Sequence, residues 1–316
     1  MKRTFVGLLL AVYIGGLMQP IEAQTKDNLK GEISLSGAFA LYPMVVKWAE
    51  EFKKIHPNVR IDISGGGAGK GMTDALAKVV DLGMVSRDVH DVEFKKGAVA
   101  FAVVKDAVVP TVNAANPLIR DIKAKGLKRN VALSLWSGKC KTWGNVLGTT
   151  SKVPVHVYTR SDACGAAETW AAWFGKRQED LEGTAVFGDP GVASAVQKDK
   201  VGIGFNNIAY AYDQKTRRPY AGLAIIPLDV NGNGKIDPEE KFYDNSLSLI
   251  KAIVSGKYPS PPARNLFLVS NGVPKKPEVI EFIKYILTEG QKYANATGYI
   301  GLSKITINQE LAKLKK

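Results

Sequence analysis

The chain switches repeatedly between two hydrophobic periods. Glu32-Ile33-Ser34-Leu35-Ser36 places an apolar residue at every second position, as a half-buried strand does. After a turn over residues 38–42, Pro43 suits the first turn of a helix. Val46, Trp48, Ala49 and Phe52 continue that helix until Pro57 stops it. Val59, Ile61 and Ile63 return to the two-residue period, then run into the glycine-rich segment 64–71 and a helix predicted through Val80. Residues 81–85 read as a short strand. Residues 101–112 read as a long apolar strand interrupted by Lys105 and Asp106, followed by a helical segment to residue 128. Val153 to Tyr158 is β-prone and leads through a glycine turn into a helix with Trp170, Trp173 and Phe174 on one face. Strands are predicted at 201–206, 221–228 and 267–270, and helices at 245–255 and 277–297. The repeated strand–loop–helix order predicts an α/β fold. In such sheets ligands gather at the carboxyl ends of strands, where the polar loops of this chain lie.

Composition changes this picture little. The 316 residues allow one large or two medium domains, and 45% hydrophobic with 23% charged residues describe an ordinary globular protein. The first 23 residues have the form of an export signal. Lys2 and Arg3 precede a short apolar core, and Ile21-Glu22-Ala23 offers a small-residue cleavage site. A periplasmic or secreted protein is expected, without a membrane span once the signal is removed. The net charge of +13 raises the local concentration of anions. It is dispersed and accompanied by no nucleic-acid motif, so nucleic acid is not an expected partner.

Chemistry-bearing motifs are few. Residues 64–71 fail as a P-loop, because Ser64 and Gly71 stand where its first glycine and its Ser/Thr belong. His56, His90 and His156 have no ligand spacing, and no nucleophile–base set stands out, so no enzyme is expected. Cys140 and Cys164 are left either as a disulfide or as two buried thiols; in the second case Cys164, at a helix start, favours the thiolate. Arg160 and the glycine turn behind it make an anion seat, where a helix N-terminus offers unpaired N–H groups beside a fixed cation.

Residues 229–240 fit the twelve-residue EF-hand calcium loop. Asp229, Asn231 and Asn233 supply side-chain oxygens at positions 1, 3 and 5. Gly234 makes the turn, Lys235 offers its carbonyl, Asp237 a direct or water-bridged contact, and Glu240 a bidentate carboxylate. Flanking helices are missing, so a structural calcium clip is expected and a sensor domain is not.

In order and spacing the pieces resemble the substrate-binding proteins of phosphate ABC transporters, over nearly all the chain after the signal. Residues 36–43 with Lys47-Trp48 look like the first ligand loop and helix of that family. Residues 64–71 look like its glycine loop, and 81–87 like its third loop. Residues 136–143 resemble its Phe-x-Gly-Lys-Ile-x-x-Trp segment, and 160–166 its Arg-x-Asp-Gly-Ser-Gly-Thr loop. Tyr258-Pro259, Gly290-Gln291 and Gly298-Tyr299-Ile300 match its C-terminal pattern. The resemblance implies a two-lobed periplasmic binding fold of type II. Strands would cross near Pro110 and Asn265. One lobe would comprise residues 28–109 and 266–316, the other 110–265. It also implies an anion held between the lobes and handed to a permease, with no catalysis.

Carried over residue by residue, the resemblance places the ligand against Ala38, Phe39, Ala40, Gly67, Ala68, Gly69, Ser86, Arg87, Arg160, Cys164, Gly165 and Ala166. The departures are chemical. Ala38, Phe39 and Ala40 stand at hydroxyl places of the first loop, Ala68 stands where a serine is common, and Cys164-Gly165-Ala166 replaces Ser-Gly-Thr. Glu168, in the first turn of the following helix, is expected to occupy the positive helix end and repel an anion. Two functions follow: an exported solute-binding protein for a small anion or an altered ligand, or a binding fold that has lost phosphate transport and serves as an interaction or scaffold module of the envelope.

Overall fold

The computed structural model describes residues 28–315. The export-signal expectation for residues 1–23 lies outside the described residues.

The elements run β1 (Gly31–Gly37), α1 (Tyr42–Ile55), β2 (Val59–Gly65), α2 (Gly67–Leu76), β3 (Leu82–Val85), α3 (Asp91–Lys95) and β4 (Ala98–Asn113). There follow α4 (Ile119–Lys125), α5 (Arg129–Trp136), α6 (Trp143–Leu147), β5 (His156–Arg160), α7 (Gly165–Trp173), β6 (Thr184–Val186), α8 (Gly188–Lys198), β7 (Gly202–Asn207) and α9 (Ile208–Ala211). The chain closes with β8 (Leu223–Ile225), α10 (Ser246–Val254), β9 (Ala263–Asn271), α11 (Pro277–Leu287) and α12 (Lys304–Ala312).

The strands lie in the order β2-β1-β3-β9-β4-β7-β5-β6, with β8 beside β4. β1 pairs in parallel with β2 and β3, and β5 pairs in parallel with β6 and β7. β4 is antiparallel to β9 over its first half and to β7 and β8 over its second. Two large apolar cores result, with a small third cluster around Val192, Val196 and Leu223. Trp48, Phe52, Phe101 and Phe282 belong to one, and Trp136, Trp170, Phe205 and Tyr258 to the other. β4 and β9 pass between them.

Periodicity explains the helices that hold the loops. In α1, Met44, Val45, Trp48, Ala49 and Phe52 are buried on one stripe, and Phe52 meets the Phe282 ring at 5.1 Å. In α7, Trp170 packs edge-on to Trp136 at 5.2 Å and against Phe205 at 5.9 Å. Three expectations need correction. α2 stops at Leu76 rather than Val80, because Lys78 takes a left-handed φ of 57°. The helix predicted for 277–297 ends at Leu287 and continues as short 3₁₀ turns. There Gly290 crosses over Trp48, whose indole N–H donates to the Gly290 carbonyl at 2.9 Å. Lys105 and Asp106 do not interrupt β4, which runs through them, with its irregularity between Ala102 and Val104.

Gly71 shows how closely α2 sits on the sheet. A β-carbon there would lie 2.4 Å from the Met84 carbonyl oxygen and 2.9 Å from Gly37 Cα, both backbone atoms that have no room to yield. Gly71→Ala is expected to lower stability by about 1–3 kcal/mol, the usual cost of overpacking. Urea unfolding of the variant checks this, and an unchanged midpoint would show that the contact relaxes freely.

Candidate functional site

Three loops from one lobe meet two from the other at the carboxyl ends of the parallel strands. From the first come residues 38–41 after β1, Gly66 after β2 and Ser86–His90 after β3. From the second come residues 161–164 after β5 and Phe187 after β6. The sequence-predicted residues converge here, but they touch each other across the seam. A β-carbon on Gly165 would lie 2.0 Å from the Ser86 carbonyl oxygen, and one on Gly67 would lie 2.7 Å from an Asp162 carboxylate oxygen. Gly69 donates its N–H to the Ala163 carbonyl at 3.1 Å. Ala38, Ala40, Ala68 and Ala166 are buried and contribute packing alone.

Arg160 is not available to a ligand as the sequence led us to expect. Its Nε and Nη2 donate to the two oxygens of Asp162 at 2.8 and 2.6 Å, and its Nη1 donates to Asp189 at 2.5 Å. Its side chain is 1% exposed, and those of Asp162 and Asp189 are 7% and 3% exposed. Burial works against ionising Asp162, but the hydrogen bond and charge of Arg160 overcome it and hold the carboxyl below its usual value. Asp162 also accepts from Gly188 N at 3.0 Å, and Asp189 from the Asn207 side chain. The guanidinium thus carries a bidentate carboxylate and a second carboxylate of its own lobe. Phe39 closes the remaining face. Its ring sits 5.9 Å from the guanidinium carbon, meets Phe187 edge-on at 5.7 Å, and fills the space left by Gly65. Tyr210 donates to the Phe39 carbonyl at 3.0 Å and holds that loop in place.

Arg87 and Glu168 also behave differently from expectation. Glu168 forms an ion pair with Arg87 Nε at 3.2 Å and lies 3.2 Å from His90 Nε2, so it ties the lobes together rather than facing an incoming anion. Arg87 is held in addition by Glu93, with contacts of 2.6 and 2.9 Å. Cys140 and Cys164 are both free thiols. Burial pushes the Cys164 thiol up to about 12, so the thiolate expected from its place at the start of α7 does not form. Its sulfur instead accepts from Ala167 N at 3.4 Å, as a helix cap. Gln178 takes the Cys164 N–H at 2.9 Å, which removes another backbone donor from the seat.

Sequence reasoning missed Asp189, Asn207, Asp106 and Arg264. Asp162 was in view within the Arg160 loop, but two-residue spacing alone does not reveal that it turns back onto the arginine. Asp189 follows Gly188 and precedes Pro190, which reads as an ordinary turn. In the calcium-type loop, Asp229 accepts from Gly232 N and Gly234 N, both at 2.7 Å, and Glu240 accepts from Val230 N at 2.8 Å. Asn231 and Asn233 both donate to Asp237, at 3.0 and 2.6 Å. Among the described residues no three His, Cys, Asp or Glu side chains converge at metal-ligating range.

Asp106 lies where β4 passes between the cores. It is fully buried, neither carboxylate oxygen meets a donor at good geometry, and its nearest cation is Arg264 at 3.7 Å. Burial pushes its carboxyl up to about 7, against the pull of Arg264. The folded chain therefore holds this proton more tightly than the unfolded chain does. The resulting stability is complete below about pH 4 and is lost as pH rises through 7. Asp106→Asn carries no such proton, so its stability relative to the unmodified protein is expected to improve steadily between pH 4 and pH 8. Thermal midpoints of both proteins across that range check this, and a constant difference would contradict it.

Comparison with known proteins agrees with this fold. Residues 22–289 match the family profile of the PBP superfamily domain. The chain is 28% identical over 349 residues to a phosphate-binding protein PstS of Methanocaldococcus jannaschii, covering 91% of this chain and 86% of that protein. It is 24% identical over 297 residues to the phosphate-binding protein PstS of Staphylococcus aureus (strain USA300), covering 92% and 84%. Among solved structures, it is similar to one from Clostridium perfringens described as a phosphate ABC transporter substrate-binding protein with bound phosphate. That match has a TM-score of 0.71 at 22% identity and covers 86% of this chain and 100% of the other. An ABC-type phosphate transport receptor from Vibrio cholerae matches with a TM-score of 0.62 at 19% identity, over 85% and 100%. These relatives are named for binding and transport, not for catalysis. The fold is that of a type II periplasmic binding protein, and the chain belongs to the PBP superfamily.

Proposed function

We propose that this chain is an extracytoplasmic solute-binding protein of the phosphate-type ABC importer class whose ligand is not free inorganic phosphate. The family and the names of its relatives support the first half. One observation carries the second: Arg160, the cation that the resemblance puts on the anion, is saturated by Asp162 and Asp189 and covered by Phe39. A dehydrated phosphate entering beside two buried carboxylates would meet like charge, and burying it with unfilled hydrogen bonds is expensive. Ala38, Ala40, Cys164 and Ala166 stand where hydroxyl donors are expected. Loss of two such charge-assisted bonds weakens binding by roughly 3–6 kcal/mol, or two to four decades. The same saturated seam suits the alternative, an envelope interaction module that no longer transports phosphate. An adjacent permease and ATPase gene pair would favour the transport reading, and its absence, with partner proteins recovered by pull-down, the other.

The calcium reading of residues 229–240 is proposed independently. It rests on the complete twelve-residue pattern and on the wound backbone, in which Asp229 and Glu240 already gather the loop's N–H groups. The ion would draw on Asp229, Asn231, Asn233, Glu240 and the Lys235 carbonyl, with Asp237 direct or through water. It would act as a clip, since a strand leads into the loop and only a 3₁₀ turn, Pro238–Glu240, closes it.

Isothermal titration with phosphate at low salt is expected to show weak binding or none. A submicromolar constant would sink the saturated-seam reading. Millimolar calcium is expected to raise the thermal midpoint, because a ligand held only by the folded chain stabilises it. Asp229→Ala or Glu240→Gln should abolish that rise, and a flat calorimetric response in the unmodified protein would remove the site.

A further inference from the structure

Beside the seam, against the strands that join the two cores, lies a cavity of about 910 Å³. Both lobes line it. Its size falls at the upper end of small-molecule sites and far exceeds what a bare tetrahedral oxyanion fills. Ile253, Tyr258 and Leu302 give it apolar walls, and Lys105, Thr169 and Arg264 give it polar ones.

Arg264 is the unusual member of this lining. Its side chain is 5% exposed. Nη1 donates to the Thr169 hydroxyl at 3.0 Å and Nη2 to the Asn207 side-chain oxygen, both neutral acceptors. Nε has no partner, and the neighbouring carboxylate, Asp106, stands off at 3.7 Å without accepting a hydrogen bond. A buried guanidinium in this position is under-compensated, unlike Arg160 with its two carboxylates. Lys105, exposed on the same cavity, forms no ion pair among the described residues and adds a second positive charge. Of the acids on the lining, Glu168 is engaged by Arg87 and His90, and Asp88 is exposed.

We propose that this cavity, rather than the saturated seam, is the ligand seat of the protein. It takes a small organic oxyanion, a carboxylate or phosphate monoester on an apolar body, with the anionic group drawn by Arg264 and Lys105 and the body laid against Tyr258 and Leu302. The proposal rests on the solute-binding reading above and gives that reading its ligand class. Because the cavity is lined from both lobes, a ligand in it is contacted by both, as transfer to a permease requires of a closed binding protein.

Titration calorimetry of the full chain with phenyl phosphate, benzoate and inorganic phosphate tests this. The organic anions are expected to bind at least tenfold more tightly than inorganic phosphate. Ala172→Trp starts from an exposed helix position on the cavity wall and should weaken them at least tenfold while keeping the thermal midpoint. Lys105→Gln, at an exposed site, should weaken them severalfold, and Arg264→Gln should weaken them most where it folds. No heat from either organic probe at millimolar concentration, with phosphate also weak, would overturn this proposal alone. Organic-anion binding that is unchanged in both Ala172→Trp and Lys105→Gln would do the same. Tight inorganic phosphate binding unaffected by Ala172→Trp would overturn the saturated-seam reading along with it.

Discussion

The structure depends on how one buried cation is neutralised. Arg160 ends β5, at the place where the two lobes meet. Breaking a buried pair costs about 3–5 kcal/mol, so a guanidinium left without its carboxylates there would weigh heavily on the fold. Asp162 answers from two residues along the same loop, and Asp189 answers from the start of α8. With that charge settled inside one lobe, the neighbouring loops can pack as apolar surface. Phe39, Ala38 and Ala40 then fit where donors would otherwise be needed, and Gly165 can press against Ser86.

Much of the fold was legible because the local signals agreed with each other. The alternation at 32–36, the apolar stripe of α1 and the Trp170-Trp173-Phe174 face all reappear where the pattern put them. The signals failed where tertiary contacts decide. The predicted helix overran Leu287 and the glycine at 290, whose carbonyl is taken by Trp48, more than two hundred residues away. α5, α6 and α8 were not separated from the loops around them, although α5 buries Ala132, Leu135 and Trp136 and α8 buries Val192, Ala193 and Val196.

The site was legible as a place and not as a chemistry. Residue types at 38–40, 67–69, 86–87 and 160–166 bring the right loops to one seam. Their sequence does not reveal that Glu168 reaches Arg87, because the two are eighty-one residues apart and meet across the seam between the lobes. Nor does it reveal that burial overrides the helix start at Cys164, which becomes a cap instead of a reactive thiolate. Arg264 was invisible for the same reason. Its meaning comes from what surrounds it, and those neighbours come from β4, α7 and β7.

The location of the charged groups separates two properties that binding proteins of this shape otherwise combine. Arg160, Asp162 and Asp189 all belong to one lobe, whereas Phe39, Gly69 and Arg87 belong to the other. What crosses the seam is the Gly69–Ala163 hydrogen bond, the Arg87–Glu168 ion pair and the Phe39 ring over the guanidinium. The arginine keeps both carboxylates. Its neutralisation therefore does not rely on any contact across the seam. The charge that does bridge the seam sits elsewhere, on Glu168 between Arg87 and His90.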